Sequence, residues 1–327
     1  MDKHSRIQAA IRGEKTDRVP LSLWRHFHRQ DRTADGLAAA TLAFARQYDV
    51  DLIKLTPSGL YAIEDWAQGH ITYPDTEHDP PFLHRPAVQD PAEWGRLPLL
   101  PPDAGALGRE LEAIRQVVRG SEGETPLVMT IFSPLTLAYK LSGDGVIRHL
   151  REYPEALHRG LETMAETTAG FADAALKAGA EGLFFATQLA SHRWVTPDEY
   201  GEFGRQYDVA VLEHVAAHSK LTILHLHGQQ VFFDLACDDR YPIQAISWHD
   251  RETYPDLATA RRLTGRSFIT GLDRELLGEG PIAAIKAQVG EVLSQTEGRG
   301  LILAPSCVIP TSAPPELLAA VGKALVS

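Results

Sequence analysis

Apolar residues along the chain concentrate in eight short runs, and most are followed by a stretch whose apolar positions recur every three or four residues. The runs are Val19 to Trp24, Leu52 to Pro57, Leu127 to Pro134, Gly182 to Gln188, Leu221 to Gly228, Ala245 to His249, Ser267 to Asp273 and Gly300 to Val308. Near-continuous apolar character suits strands buried on both faces, as in a parallel sheet. The three-to-four spacing predicts helices over Gly36 to Tyr48, Gly145 to Lys177, Pro197 to His218, Val231 to Cys237, Pro255 to Leu263, Pro281 to Leu293 and Pro314 to Leu325. Eight β/α units without a glycine-rich phosphate loop predict an α/β fold, a single TIM (β/α)8 barrel spanning residues 1–327 as one domain.

One stretch breaks this rhythm. Residues 66–126 carry eight prolines between Pro74 and Pro102 and only one convincing helix, Gly105 to Val118. So long a connection between the second and third strands predicts a Pro-rich insertion that acts as a lid over the barrel mouth or as a subunit contact. An ordered surface excursion is the alternative.

Composition narrows the function classes. The chain has 327 residues, 32 basic and 43 acidic, for a formal charge of −11. No segment combines clustered Lys and Arg with interleaved aromatics, which argues against a nucleic-acid partner. The N-terminus is polar, no run reaches the length of a membrane span, and there are two cysteines, Cys237 and Cys307. A cytoplasmic protein with no membrane association is the expectation.

Barrel chemistry collects where strands end. His225 and His227 close the fifth run, and i,i+2 residues of a strand project to one face. Cys307 closes the eighth run. Two imidazoles and a thiolate make a three-ligand set for Zn²⁺ with a fourth position open to substrate, although buried core histidines and a packed cysteine would give the same spacing. The other run ends bring Arg25 (first), Lys54 (second), Gln188 (fourth), His249 and Asp250 (sixth) and Asp273 (seventh) toward the same rim. Asp273 would equally serve as a helix cap, and Lys54 as a partner to a carboxylate.

Five segments resemble the uroporphyrinogen decarboxylase superfamily, in the same order and over nearly the whole chain. They are Arg6-Ile7-Gln8-Ala9-Ala10-Ile11-Arg12-Gly13-Glu14 with Asp17-Arg18-Val19-Pro20, then Lys177-Ala178-Gly179-Ala180-Glu181-Gly182, Ser247-Trp248-His249-Asp250, Gly271-Leu272-Asp273-Arg274-Glu275-Leu276-Leu277, and Pro310-Thr311-Ser312-Ala313-Pro314-Pro315-Glu316. The resemblance implies a TIM barrel, in agreement with the run count. It also poses two chemistries. The decarboxylases carry an aspartate after the second strand that holds the pyrrole N–H groups, and Lys54-Leu55-Thr56-Pro57-Ser58-Gly59 has none. Tyr139 falls one residue before the family's tyrosine position, and Ser306 stands where the decarboxylases have histidine. Arg25 and Arg29 do match their Arg-x-x-x-Arg spacing, which implies binding of substrate carboxylates.

The second chemistry is that of the zinc- and corrinoid-dependent thiol methyltransferases. Their ligand pattern resembles His225-x-His227-Gly228 and Ser306-Cys307-Val308-Ile309-Pro310, with His227 in place of a cysteine. Exchanging thiolate for neutral imidazole leaves a zinc complex one unit more positive and more Lewis acidic. The resemblance implies Zn²⁺ as cofactor, a thiol or hydroxyl substrate as fourth ligand, and a corrinoid methyl carrier, free or on a partner protein, since the chain shows no cobalamin motif. His249 is expected as acid, base or further ligand. Asp250 or Asp273 is expected to orient a ligand imidazole, and Arg25, Arg29, Lys54, Gln188 and Asp273 to contact a small-molecule substrate. Related barrels imply a homodimer. A decarboxylase and a non-catalytic metal- or tetrapyrrole-binding protein are the alternatives.

Overall fold

The computed structural model describes residues 1–325. Its strands are β1 (Ile53–Leu55), β2 (Ile71–Thr72), β3 (Phe82–Leu83), β4 (Leu127–Phe132), β5 (Gly182–Thr187), β6 (Leu221–Leu226), β7 (Ala245–Trp248), β8 (Ser267–Leu272) and β9 (Leu301–Pro305). Seven of them form a parallel sheet in the order β1-β4-β5-β6-β7-β8-β9, and β2 pairs antiparallel with β3 outside it. Every residue of the seven is buried, which explains the unbroken apolar runs. The sheet is curled and TIM-barrel-like.

The first apolar run takes a different form from the other seven. Pro20 has no amide to give to a ladder, so the segment is joined by isolated bonds rather than as a regular strand. Ser22 N donates to Leu303 O at 3.0 Å and Leu303 N to Pro20 O at 2.8 Å. On the other side Asp51 N donates to Leu21 O at 2.7 Å, and the Ser22 hydroxyl donates to Leu52 O at 2.9 Å. The segment therefore bonds to β9 on one side and to the chain entering β1 on the other. Below it, the Asp51 carboxylate is fully buried and accepts from Arg6 Nη1 at 2.6 Å, Arg18 Nη2 at 3.0 Å and Leu21 N at 2.9 Å. Two guanidinium groups of the opening motif thus hold the segment in place.

Helices cover the sheet largely where expected, with local differences. Gly145 to Lys177 is two helices, Gly145–Glu152 and Pro154–Lys177, because Pro154 disfavours helical backbone at Tyr153. Pro134–Ser142 forms a further helix that the apolar spacing does not predict, and Ser133 caps it by accepting from Thr136 N. Val231 to Cys237 is a short 3-10 turn, Phe233–Cys237. The expected 66–126 insertion is redrawn, because Gly105–Gly120 packs beside Ala34–Gln47 as the crossover helix between β1 and β4. The irregular part of that connection is residues 56–104, containing the β2–β3 hairpin and the turn Pro91–Arg96. Among the described residues no helix is long and apolar enough to cross a membrane.

Candidate metal centre

The end of β6 sets the site. His225 lies in register with Ala186 of β5 and Ser247 of β7, and His227 N donates to Thr187 O at 3.0 Å, extending the strand path by one step. Leu224 and Leu226 consequently face the helical layer, fully buried, while both imidazoles face inward. Gly228, at φ +92°, then turns the chain away.

Four side chains converge there. The ligating atoms of His225, His227, His249 and Cys307 all lie within 4.8 Å of one another. His227 Nδ1 is central, 3.3 Å from His249 Nε2 and 3.6 Å from Cys307 Sγ. His225 Nδ1 shares a hydrogen bond of 3.0 Å with the Ser247 hydroxyl, and His249 Nδ1 stands 3.3 Å from Glu252 Oε2. Arg274 Nε donates to Glu252 Oε1 at 3.1 Å. Burial holds His225 well below the usual imidazole range and pushes His227 down to about 3, the neighbouring imidazoles adding to the effect. Neutral rings are the ligating form of histidine. Burial also pushes the Cys307 thiol up, so a cation would be needed to ionise it. Three neutral imidazoles and one thiol, aimed at one point in a buried site, are a donor set that fits Zn²⁺.

His225, His227 and Cys307 line a cavity of about 300 Å³, whose walls include Trp24, Phe132 and Phe184. Three basic side chains open onto it, Lys54, Lys140 and Arg274, and among the described residues its lining contains no carboxylate. Lys54 is 6% exposed, lies 4.5 Å from the Phe184 ring centroid, and donates to Thr56 Oγ1 at 3.2 Å. Burial pushes its ammonium down to about 7. Lys140 sits 4.3 Å over Phe132 and is pushed down to about 8 by the same cause.

The other anticipated residues separate into two groups. Lys54 and Gln188 line the cavity with the three ligand candidates. Arg25 and Arg29 do not: strand alternation turns Trp24 and His26 inward and Arg25 outward, where Arg25 Nη1 donates to Thr311 O at 3.1 Å. Arg29 is half exposed, 3.5 Å from Asp75. Asp250 faces β8, accepting from Thr270 Oγ1 at 2.5 Å, and burial pushes its carboxyl up to about 6. Asp273 caps the helix Arg274–Glu279, accepting from Glu275 N and Leu276 N. The carboxylate beside a ligand candidate is Glu252, which the sequence reading passed over along with His26, Lys140 and Arg274. The alternation that aligns His26 with Trp24 was a usable signal; nothing local marked Lys140 or Glu252.

The chain belongs to the uroporphyrinogen decarboxylase (URO-D) family, whose model matches residues 2–326. Among curated proteins it is similar to the uroporphyrinogen decarboxylase of Aeromonas salmonicida, 27% identical over 283 residues covering 80% of this chain and 74% of that one. It is 28% identical over 334 residues to the uroporphyrinogen decarboxylase of Xanthomonas axonopodis pv. citri, covering 92% and 90%. Among solved structures, a methyltransferase from Methanosarcina mazei superposes with a TM-score of 0.83 at 20% identity, over 100% of this chain and 98% of that one. A B12-independent methionine synthase from Shewanella superposes at 0.55 with 14% identity, over 89% and 86%. At these identities the structural likenesses establish the fold.

Proposed function

We propose that this URO-D family protein is a zinc-dependent methyltransferase, with His225, His227 and Cys307 as ligands and a small thiol or hydroxyl compound as methyl acceptor. The observation that carries this reading is the convergence of those three residues at one point of the cavity lining, with His249 beside them. Zn²⁺ bound there would supply Lewis acidity that lowers the pKa of an incoming thiol or hydroxyl. Ser247 and Glu252 would orient the His225 and His249 rings from outside. His249, next to Glu252, is placed to receive the acceptor's proton. The aromatic walls would exclude water, and Lys54, with Gln188 and Lys140, would hold the substrate's polar end. Asp250 and Asp273 would serve by positioning the strand and helix ends that carry His249 and Arg274. We read the barrel as closed by Val19 to Trp24, the chain as one domain, and residues 56–104 as cover for the mouth.

The name of the Methanosarcina mazei neighbour agrees with this reading; those of the curated relatives favour a decarboxylase. The methyltransferase is preferred because Arg25 and Arg29 both lie off the cavity. The test is incubation of zinc-loaded protein with methylcobalamin, a corrinoid donor, and a panel of small thiols and alcohols, following loss of the cobalt–methyl absorption. The methyl group passes to sulfur or oxygen, the acceptor loses its proton, and the electron pair of the Co–C bond stays on cobalt. Demethylation that disappears in Cys307→Ala is expected. No demethylation with any acceptor, together with multiple-turnover coproporphyrinogen formation by chelator-treated protein, would overturn the assignment.

A further inference from the structure

A second cluster lies where the first apolar run leaves the sheet. His26 and His28 are i,i+2 neighbours with stacked rings, centroids 5.1 Å apart at 21°. Asp31 N donates to Phe27 O at 2.8 Å as the chain enters the 3-10 turn Gln30–Arg32, which brings Asp31 back beside them. The ligating atoms of the three residues lie within 4.8 Å of one another. His28 is 6% exposed and Asp31 2% exposed. One atom on each, His26 Nδ1, His28 Nδ1 and Asp31 Oδ2, is buried with no hydrogen-bond partner.

Three buried, unpartnered donor atoms side by side are costly unless something satisfies them, since each forfeits its hydration. The surroundings leave room for a cation's charge. Arg109, the guanidinium group that acts most on Asp31, is already held by Glu64 at 2.8 and 2.9 Å and by Glu110 at 2.9 Å, and Arg32 donates to the Pro74 carbonyl. Asp79 acts on His28 with opposite sign to His78. His26 Nδ1 is buried without a hydrogen-bond partner, and its ring also lines the cavity. Lys54 and Lys140 face His26 and weaken any cation there.

We propose that His26, His28 and Asp31 form a second cation site, taking a divalent first-row transition metal through two imidazoles and one carboxylate. Such a set leaves coordination positions open and suits iron(II), manganese, cobalt or zinc better than calcium or magnesium. The site is separate from the His225, His227, Cys307 centre in its ligands, yet His26 lines the same cavity. It contains no sulfur, which gives it a distinguishable spectrum.

The test is Co²⁺ titration of chelator-treated full-length protein, with bound metal counted after gel filtration and the absorption spectrum recorded. Wild type is expected to hold about two equivalents, one of them with a thiolate-to-cobalt charge-transfer band. Asp31→Asn, with His28→Gln as a second variant if the first is unstable, should lose about one equivalent while keeping that band. The double variant His227→Ala, Cys307→Ala should keep about one equivalent and lose the band. If folded Asp31→Asn and His28→Gln bind as much cobalt as wild type, or the double variant binds none, the second site is refuted. Were the band absent from wild type while Asp31→Asn still lost an equivalent, the first centre would fail and the second would stand.

Discussion

His227 Nδ1 and Cys307 Sγ lie 3.6 Å apart although 80 positions separate them in the chain. The contact exists because β6 and β9 end at the same rim of the curled sheet, and His227 and Cys307 follow those ends by one and two residues. A thiol buried beside neutral imidazoles, without a hydrogen bond to a stronger acceptor, is in a poor place to ionise unless a cation balances it. That dependence makes the pair the most direct place to test the proposed centre.

Replacing Cys307 with Ala should abolish the thiolate-to-metal charge-transfer band of the cobalt protein and cut zinc affinity at this centre by roughly 100-fold or more, with far-UV circular dichroism unchanged. Equal zinc retention in competition with a chelator would remove Cys307 from the ligand set.

Glu252 gives a subtler readout. Held by Arg274 and standing beside His249, it should set that ring's orientation and basicity. Glu252→Gln is expected to weaken zinc binding roughly 10-fold if His249 ligates, as outer partners of ligating histidines do, and to leave affinity unchanged but lower turnover if His249 handles the proton. Isothermal titration with zinc, alongside kcat, separates the two; no change in either would leave Glu252 a surface ion pair.

Lys54 should trade stability for function. Its ammonium is buried and pushed down to about 7, so the folded state holds fewer protons than the unfolded one from about pH 7 to pH 10. Stability should therefore rise with pH across that window. Lys54→Met removes the buried cation and should stabilise the protein by roughly 1–3 kcal/mol at neutral pH, as urea midpoints would register, while raising KM for an anionic or polar substrate. A destabilised variant would show that the contacts with Phe184 and Thr56 outweigh the desolvation.

Asp208 predicts the opposite slope. Its Oδ2 accepts from Tyr200 at 2.6 Å and Tyr241 at 3.1 Å, and burial pushes its carboxyl up to about 7. The folded protein thus keeps a proton between about pH 4 and pH 7 that the unfolded chain has lost, and stability falls as pH rises through that range. Glu110, pushed up to about 7 by burial, adds to the same trend. Asp208→Asn should remove roughly 1–3 kcal/mol of the difference between pH 5 and pH 8 in urea unfolding, with the tyrosine bonds retained. An unchanged difference would mean Asp208 is not the titrating group.

The two arginines at family spacing supply a negative expectation. Arg25 is tied to the Thr311 carbonyl and Arg29 is paired with Asp75 outside the cavity. Uroporphyrinogen incubated with the protein should yield no coproporphyrinogen above background, measured by chromatography of the oxidised porphyrins.

By itself the sequence determined what depends on neighbours along the chain. Seven of the eight apolar runs are strands because continuous burial on both faces leaves no polar alternation, and the pairing of His225 with His227 on one face follows from the period of two. Where backbone chemistry intervened, local signals were present and outweighed the apolar pattern: Pro20 kept the first run from becoming a regular strand, and Pro154 divided one long helix. Only the tertiary structure decided which rim residues share a space. Arg25 follows the first apolar run and Lys54 lies within the second, yet Arg25 turns outward to Thr311 and Lys54 into the cavity. The same holds for the carboxylates, since Asp273 was taken by the first amides of a helix and Asp250 by Thr270, leaving Glu252 beside His249. Lys140 and His26 reach the cavity from segments far from β6 in sequence. Periodicity reports the direction of a side chain relative to its own strand; which other strand ends meet it is fixed by the curvature that brings them to one rim.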